Sequence, residues 1–174
     1  MSDKATTGKT AKLMLFGLEG AGKTTVLYDL KEGRQPGSRR LTNPTTGFNV
    51  EPIIYKDITF TVWDMAGREQ YRHIWFHYTH DTYAIVFVID ANDRGKILMA
   101  KDALKKLLEY EELKSALLLV LANKQDLLHP LNEKELVEQM ELNCITDRRW
   151  FVNPTSAIFG DGLREGLDWL SSWL

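Results

Sequence analysis

Short apolar runs alternate with stretches whose apolar residues recur at helical spacing. Lys12–Phe16 is a compact apolar run that stops at Gly17 and predicts a buried strand. Thr24–Lys31 has helical spacing, broken by Gly33, Pro36 and Gly37. Phe48–Tyr55 and Ile58–Trp63 read as two strands separated by Lys56-Asp57, a hairpin. Tyr83–Ile89, rich in Val, Ile and aromatics, predicts a central strand covered on both faces. An amphipathic helix follows over Ile97–Tyr110, then a buried strand over Leu117–Leu121. Glu133–Met140 predicts a helix capped by Asn132, Trp150–Val152 a short strand, and Gly162–Leu174 a final helix. Leu163, Leu167, Leu170 and Leu174 form one stripe of that last helix.

Alternating strands and helices imply an α/β domain with a mostly parallel sheet, and the hairpin implies one antiparallel edge strand. Ligands of such sheets bind at the strands' C-terminal ends. The 174 residues fit a single domain, 1–174, with residues 1–11 a polar N-terminal extension. With 22 Lys+Arg against 24 Asp+Glu there is no global basic footprint for nucleic acid. One cysteine, Cys144, excludes a disulfide framework and reads as a small apolar filler. No apolar run approaches the roughly 18 residues of a membrane span. Ser2 leaves no glycine for N-myristoylation.

Five segments carry chemistry, four at strand ends and one in the loop before the second strand. Gly17-Leu18-Glu19-Gly20-Ala21-Gly22-Lys23-Thr24 matches G-x-x-x-x-G-K-[ST] between a predicted strand and helix. Backbone N–H groups there can curl round phosphates, Lys23 can reach the β- and γ-phosphates, and the Thr24 hydroxyl can bind Mg²⁺. Ala122-Asn123-Lys124-Gln125-Asp126 follows another strand. The Asp126 carboxylate can accept both the N1–H and the N2 amino group of guanine, a donor pair adenine lacks. Asn123 can tie this loop to the phosphate loop, and the Lys124 stem can cover the base. In Thr155-Ser156-Ala157 the Ala157 N–H can donate to guanine O6. Asp64, at the end of the third strand, can hold Mg²⁺ through water, and the Gly67 N–H can meet a γ-phosphate. Thr45 can add a second hydroxyl to Mg²⁺ when a γ-phosphate draws its loop in, which makes a two-segment switch.

On these residues the chain resembles the Ras-like small GTPases, and within them the Arf and Arf-like branch. The resemblance covers Lys12 to Leu174. Its most specific stretches are Gly17–Thr25, PTTGFNVE at Pro44–Glu51, FTVWD at Phe60–Asp64, ANKQDL at Ala122–Leu127 and GDGLREGLDWL at Gly160–Leu170. It implies a P-loop NTPase three-layer sandwich: a six-stranded, mostly parallel sheet with one antiparallel edge strand and helices on both faces. It implies GTP/GDP and Mg²⁺ as cofactors. The nucleotide would contact Glu19, Gly20, Ala21, Gly22, Lys23, Thr24, Thr25, Thr45, Gly67, Asn123, Lys124, Asp126, Ser156 and Ala157; the metal ligands would be Thr24, Thr45 and, through water, Asp64. Effectors would meet an aromatic triad of Phe48, Trp63 and Tyr78, beside exchange-factor and GAP contacts through the two switches. A monomer is expected.

Three departures from the family pattern matter. Where the family has Gly-Gly-Gln, this chain has Ala66-Gly67-Arg68. The Gln orients the attacking water. Arg68 has donors only and cannot accept a proton from that water, so intrinsic hydrolysis should be slow. A contrary reading makes Arg68 a built-in stabiliser of transition-state charge, or has a partner supply the missing group. Glu19 stands where the family usually has Asp, and could pair with Arg68 across the nucleotide. Met1–Ala11 has no apolar face for the family's membrane helix, so a cytoplasmic protein, recruited to membranes only by a partner, is expected. The functions in play are a GTP switch with Lys23, Gly67 and Arg68 at its catalytic centre, a pseudo-GTPase interaction module that never hydrolyses, and a P-loop kinase. The last lacks an arginine-rich lid.

Weaker features have plainer readings. Lys31, Arg34, Arg39 and Arg40 make a basic stretch best read as a solvated loop. His73, His77 and His80 could share a helix face, but zinc would need a further ligand. Trp169 and Trp173 read as packing residues.

Overall fold

The computed structural model describes residues 8–33 and 42–174. Arg34, Pro36, Gly37, Arg39, Arg40 and most of the polar N-terminal segment lie outside these residues. Lys31, the described member of the basic stretch, pairs with Glu51 at 2.8 Å.

Six strands form one sheet in the order β2-β3-β1-β4-β5-β6. They are β1 (Lys9–Phe16), β2 (Phe48–Tyr55), β3 (Ile58–Met65), β4 (Ala84–Asp90), β5 (Leu117–Asn123) and β6 (Trp150–Pro154). Only β2, at the edge, runs antiparallel, paired with β3 from Tyr55↔Ile58 to Phe48↔Met65. The helices are α1 (Lys23–Glu32), α2 (Ile97–Leu108), α3 (Glu133–Gln139) and α4 (Leu163–Ser171).

Strand side chains alternate between faces, so each central strand feeds two cores. Met14, Phe16, Ile85, Phe87, Ile89, Leu118 and Val120 pack with Ile97, Leu104 and Leu107 of α2 and Leu136 of α3. Leu13, Leu15, Val86, Val88, Leu119 and Leu121 pack on the other face with Val26 and Leu27 of α1 and Leu163, Leu167 and Leu170 of α4. This is the predicted three-layer arrangement; Leu163, Leu167 and Leu170 of the predicted stripe face the sheet, while Leu174 lies past the helix end and packs partly buried against the same core. Asn132 caps α3 in a reciprocal box with Glu135, each bond 2.9 Å.

Several boundaries differ. β1 starts at Lys9, because Lys9–Leu15 pair with β3, so the strand takes in part of the segment read as an extension. The last helix ends at Ser171, where two backbone N–H groups turn back, Ser172 to Asp168 and Trp173 to Leu170. Cys144 is exposed, which corrects its reading as a filler: it ends a one-turn 3₁₀ segment whose buried residue is Leu142. Trp169 does pack, stacked on Phe151 at 5.5 Å. Trp173 is half-exposed instead, with the Arg149 guanidinium 3.7 Å over its ring. Glu69–Tyr78, which carries His73 and His77, is a 3₁₀ segment. Among the described residues no group of three His, Cys, Asp or Glu side chains is placed to hold a metal ion.

Candidate functional site

The C-terminal ends of β1, β3, β4, β5 and β6 lie along one edge of the sheet, and the loops leaving them build the site. Phe16 leads directly into the glycine-rich loop, which opens α1 at Lys23. Gly22 caps that helix at φ +103°, a left-handed conformation that side chains strain to adopt. A Cβ there would also lie 2.3 Å from Asn123 Nδ2. Lys23 is buried and donates to the carbonyls of Gly17 (3.1 Å) and Leu18 (2.9 Å). Burial pushes its ammonium down to about 8, against the opposing pull of Asp64. An ammonium held this way is primed to gain an anionic partner.

A cavity of about 330 Å³ opens over this loop, lined by Glu19, Gly20, Gly22, Lys23, Thr24, Thr25, Thr45, Gly67, Arg68 and Lys124 among others. Thr42, Asn43 and Pro44 also line it, and the sequence reading assigned none of these three to the site. On one wall sits a cluster of hard oxygens. Thr24 Oγ1 lies 3.0 Å from Thr45 Oγ1 and donates to Asp64 Oδ2 at 2.6 Å. Thr45 and Asn49 also reach Asp64 Oδ2, each at 3.4 Å. Asp64 Oδ1 is buried with no hydrogen-bond partner, and burial raises the carboxyl's pKa. A buried carboxylate oxygen without a donor is costly unless a cation meets it. Two hydroxyls and a carboxylate are the donor set a Mg²⁺ ion takes beside phosphates, so the residues present fit the ion.

On the base side Asn123 is buried and ties three segments together. Its Nδ2 donates to Ala21 O of the phosphate loop at 2.9 Å. Its Oδ1 accepts from Ala157 N at 3.0 Å and Thr155 Oγ1 at 3.4 Å. The Ala157 N–H foreseen for guanine O6 is thus directed at Asn123 here. Lys124 adopts a left-handed conformation, φ +67°, rare for a side chain of this size, and its ammonium pairs with Asp90 at 2.6 Å. Ser156 Oγ donates to Asp126 Oδ1 at 2.6 Å, which orients that carboxylate.

The two loops read as switches meet at the front. Ala66 N donates to Gly47 O at 2.9 Å. Arg68 Nε donates to Glu19 Oε1 at 2.7 Å, so the ion pair foreseen from sequence is present. Phe48, Trp63 and Tyr78 do come together, with centroids 5.2, 4.6 and 5.6 Å apart pairwise.

Four contributors escaped the sequence reading. Lys12 donates to the carbonyls of Tyr78 and His80, with its ammonium 4.9 Å over the Trp63 ring. Arg72 donates to Gly67 O at 3.0 Å, and Trp75 Nε1 to Ala66 O at 2.9 Å. Asp90 steadies Lys124. No local pattern marks them, because each acts on a segment distant in the chain or on a backbone carbonyl.

A glycine-rich loop opening a helix with a buried lysine belongs to nucleoside-triphosphate-binding proteins, and the Asn-Lys-Gln-Asp loop tied to it narrows these to proteins that take guanine nucleotides. A profile of the ADP-ribosylation factor family matches residues 1–174. ADP-ribosylation factor K of Dictyostelium discoideum is 46% identical over 166 residues, covering 95% of this chain and 86% of its own. The structure of the Arl6 BBS3 small GTPase from Trypanosoma brucei, with bound nucleotide analogue GppNp, superposes with a TM-score of 0.86. It is 27% identical, with 95% of this chain and 97% of that one covered. The chain therefore belongs to the ADP-ribosylation factor family of small GTPases, which bind guanine nucleotides and hydrolyse GTP.

Proposed function

We propose that this protein is a GTP-loaded switch that hydrolyses its nucleotide far more slowly than its relatives and recruits effectors while loaded. The observation that carries the reading is Arg68 at the position of the water-orienting Gln, engaged with Glu19 at 2.7 Å. A guanidinium held by a carboxylate presents no acceptor to a water and lends little charge to a γ-phosphate.

In this reading the phosphate-loop amides and Lys23 hold the phosphates, and Asp126, held by Ser156, reads guanine. Asn123 keeps the two loops in register. Thr24, Thr45 and, through water, Asp64 would hold Mg²⁺, which would supply positive charge against the phosphates. Thr45 closes on the γ-phosphate, which the Gly67 N–H also meets, and the loop of Thr45, which runs into Phe48, carries that state to the Phe48–Trp63–Tyr78 surface. A pseudo-GTPase that never hydrolyses is favoured by the same Glu19–Arg68 pair and is the limiting case of this reading.

Single-turnover hydrolysis of loaded GTP tests it. The small GTPase Ras turns over at about 10⁻⁴ to 10⁻³ per second unaided. The native chain should fall about tenfold or more below that range, and Arg68→Gln should raise its rate about tenfold. Equal rates in the two proteins would refute the role given to Arg68. Any release from the native chain above the buffer blank over several hours excludes the pseudo-GTPase limit.

A further inference from the structure

The segment after β3 lies directly against the phosphate loop. Gly67 presses so close that a Cβ would lie 2.5 Å from Lys23 Nζ and 2.6 Å from both Glu19 N and Gly17 O. Arg72 and Trp75 hold the carbonyls of Gly67 and Ala66 from behind. In front, Arg68 has an extended backbone, φ −63° and ψ 139°, just before the 3₁₀ segment, and its guanidinium reaches Glu19 on the rim of the nucleotide cavity.

The γ-phosphate is what draws a switch segment onto the phosphate loop in a GTP-gated protein, and its loss is what releases it. Here opposite fixed charges span the same gap. Neither depends on which nucleotide lies beneath. We propose that Glu19 and Arg68 form a latch indifferent to the γ-phosphate, which holds the second switch on the phosphate loop over GDP as over GTP and slows release of both. Glu19 is a positioning residue in this scheme: it directs Arg68 sideways, away from the γ-phosphate position. The inference rests on reading the cavity as the guanine-nucleotide site.

Both side chains are about half-exposed, at 40% and 47%, so the latch is modest and salt-sensitive. The test is the release rate of fluorescent GDP and of a fluorescent, non-hydrolysable GTP analogue from the full chain with Mg²⁺. Glu19→Gln and Arg68→Gln should each speed release of both nucleotides by about two- to fivefold, the range exposed pairs support. The double variant should match either single rather than their product, since both remove one interaction. Arg68→Lys, which keeps a cation, should retain part of the effect, and high salt should erase the difference between native and variant proteins. The proposal is overturned if the single variants release at the native rate, if the double variant shows the product, or if only the GTP analogue responds. That last outcome would put Arg68 on the γ-phosphate. Failure of the native protein to load either nucleotide would overturn the reading of the cavity itself, separately from the latch.

Discussion

Replacing Asn123 by Ala removes a buried side chain that joins the phosphate loop to the base-side loops. Three hydrogen bonds go: to Ala21 O at 2.9 Å, from Ala157 N at 3.0 Å and from Thr155 Oγ1 at 3.4 Å. The site is 2% exposed, so the abandoned Ala21 carbonyl and Ala157 amide are left nearly dry. Each such group costs about 1–3 kcal/mol, and water entering the vacated space recovers part of it, which leaves about 2–4 kcal/mol in total. An even division between folding and nucleotide binding puts about 1–2 kcal/mol in each. Nucleotide affinity should then fall about 5- to 30-fold. The melting temperature of the nucleotide-free protein should fall by about 2–8 °C. Release of fluorescent GDP and thermal unfolding, run beside Asn143→Ala at an exposed position, measure both shares. An Asn123→Ala protein that releases GDP within twofold of native and melts at the native temperature would refute the bridging role.

Two other perturbations follow from the same geometry. Gly67→Ala sets a methyl against two phosphate-loop backbone atoms that cannot swing aside, so the second switch must retreat. Affinity for a GTP analogue should fall about thirtyfold, the middle of the overpacking range, and unchanged affinity would contradict the close seating. Glu141 is held down to about 2 by hydrogen bonds from Lys105 and Lys101. A carboxyl depressed below its ordinary 4.5 adds stability above that pH and loses it as pH falls towards 2. The melting difference between native protein and Glu141→Gln should therefore be small, within about 2 °C at neutral pH for so exposed a group. It should shrink steadily below pH 4.5 and in high salt, and a difference constant from pH 7 to 3 would contradict it.

The strands and the mostly parallel character of their sheet were largely legible because they rest on local signals and on the alternation of strands with helices. The two strand-like runs Phe48–Tyr55 and Ile58–Trp63, with Lys56-Asp57 between them, mark the hairpin, and continuous apolar runs mark strands buried on both faces. The phosphate loop was legible because its glycines and Lys23 lie within one eight-residue motif. Ends of elements were less so. Asp64 and Asn123 stand inside their strands, since neighbouring strands pair past the last apolar residue, at Leu15↔Asp64 and Asp90↔Asn123. The supports of the site were least legible. Lys12 acts on Tyr78 and His80, more than sixty residues away, and Arg72 acts on a backbone carbonyl, which leaves no trace in residue identity. Cys144 was misread because composition says how often cysteine is buried, not where a surface turn falls. Glu19 and Arg68 are the opposite case: two departures from a family pattern, on loops the fold brings together, whose charges suggested their pairing before their distance was known.

The central claim is that Arg68 leaves this family member loaded with GTP. The direct measurement is to extract and identify the nucleotide carried by the purified protein, then load GTP with Mg²⁺ and follow phosphate release for several hours. Retained GTP, with release about tenfold or more below the 10⁻⁴ to 10⁻³ per second of unaided Ras, is the predicted result. GDP in the protein as isolated, with release inside that ordinary range, would contradict it.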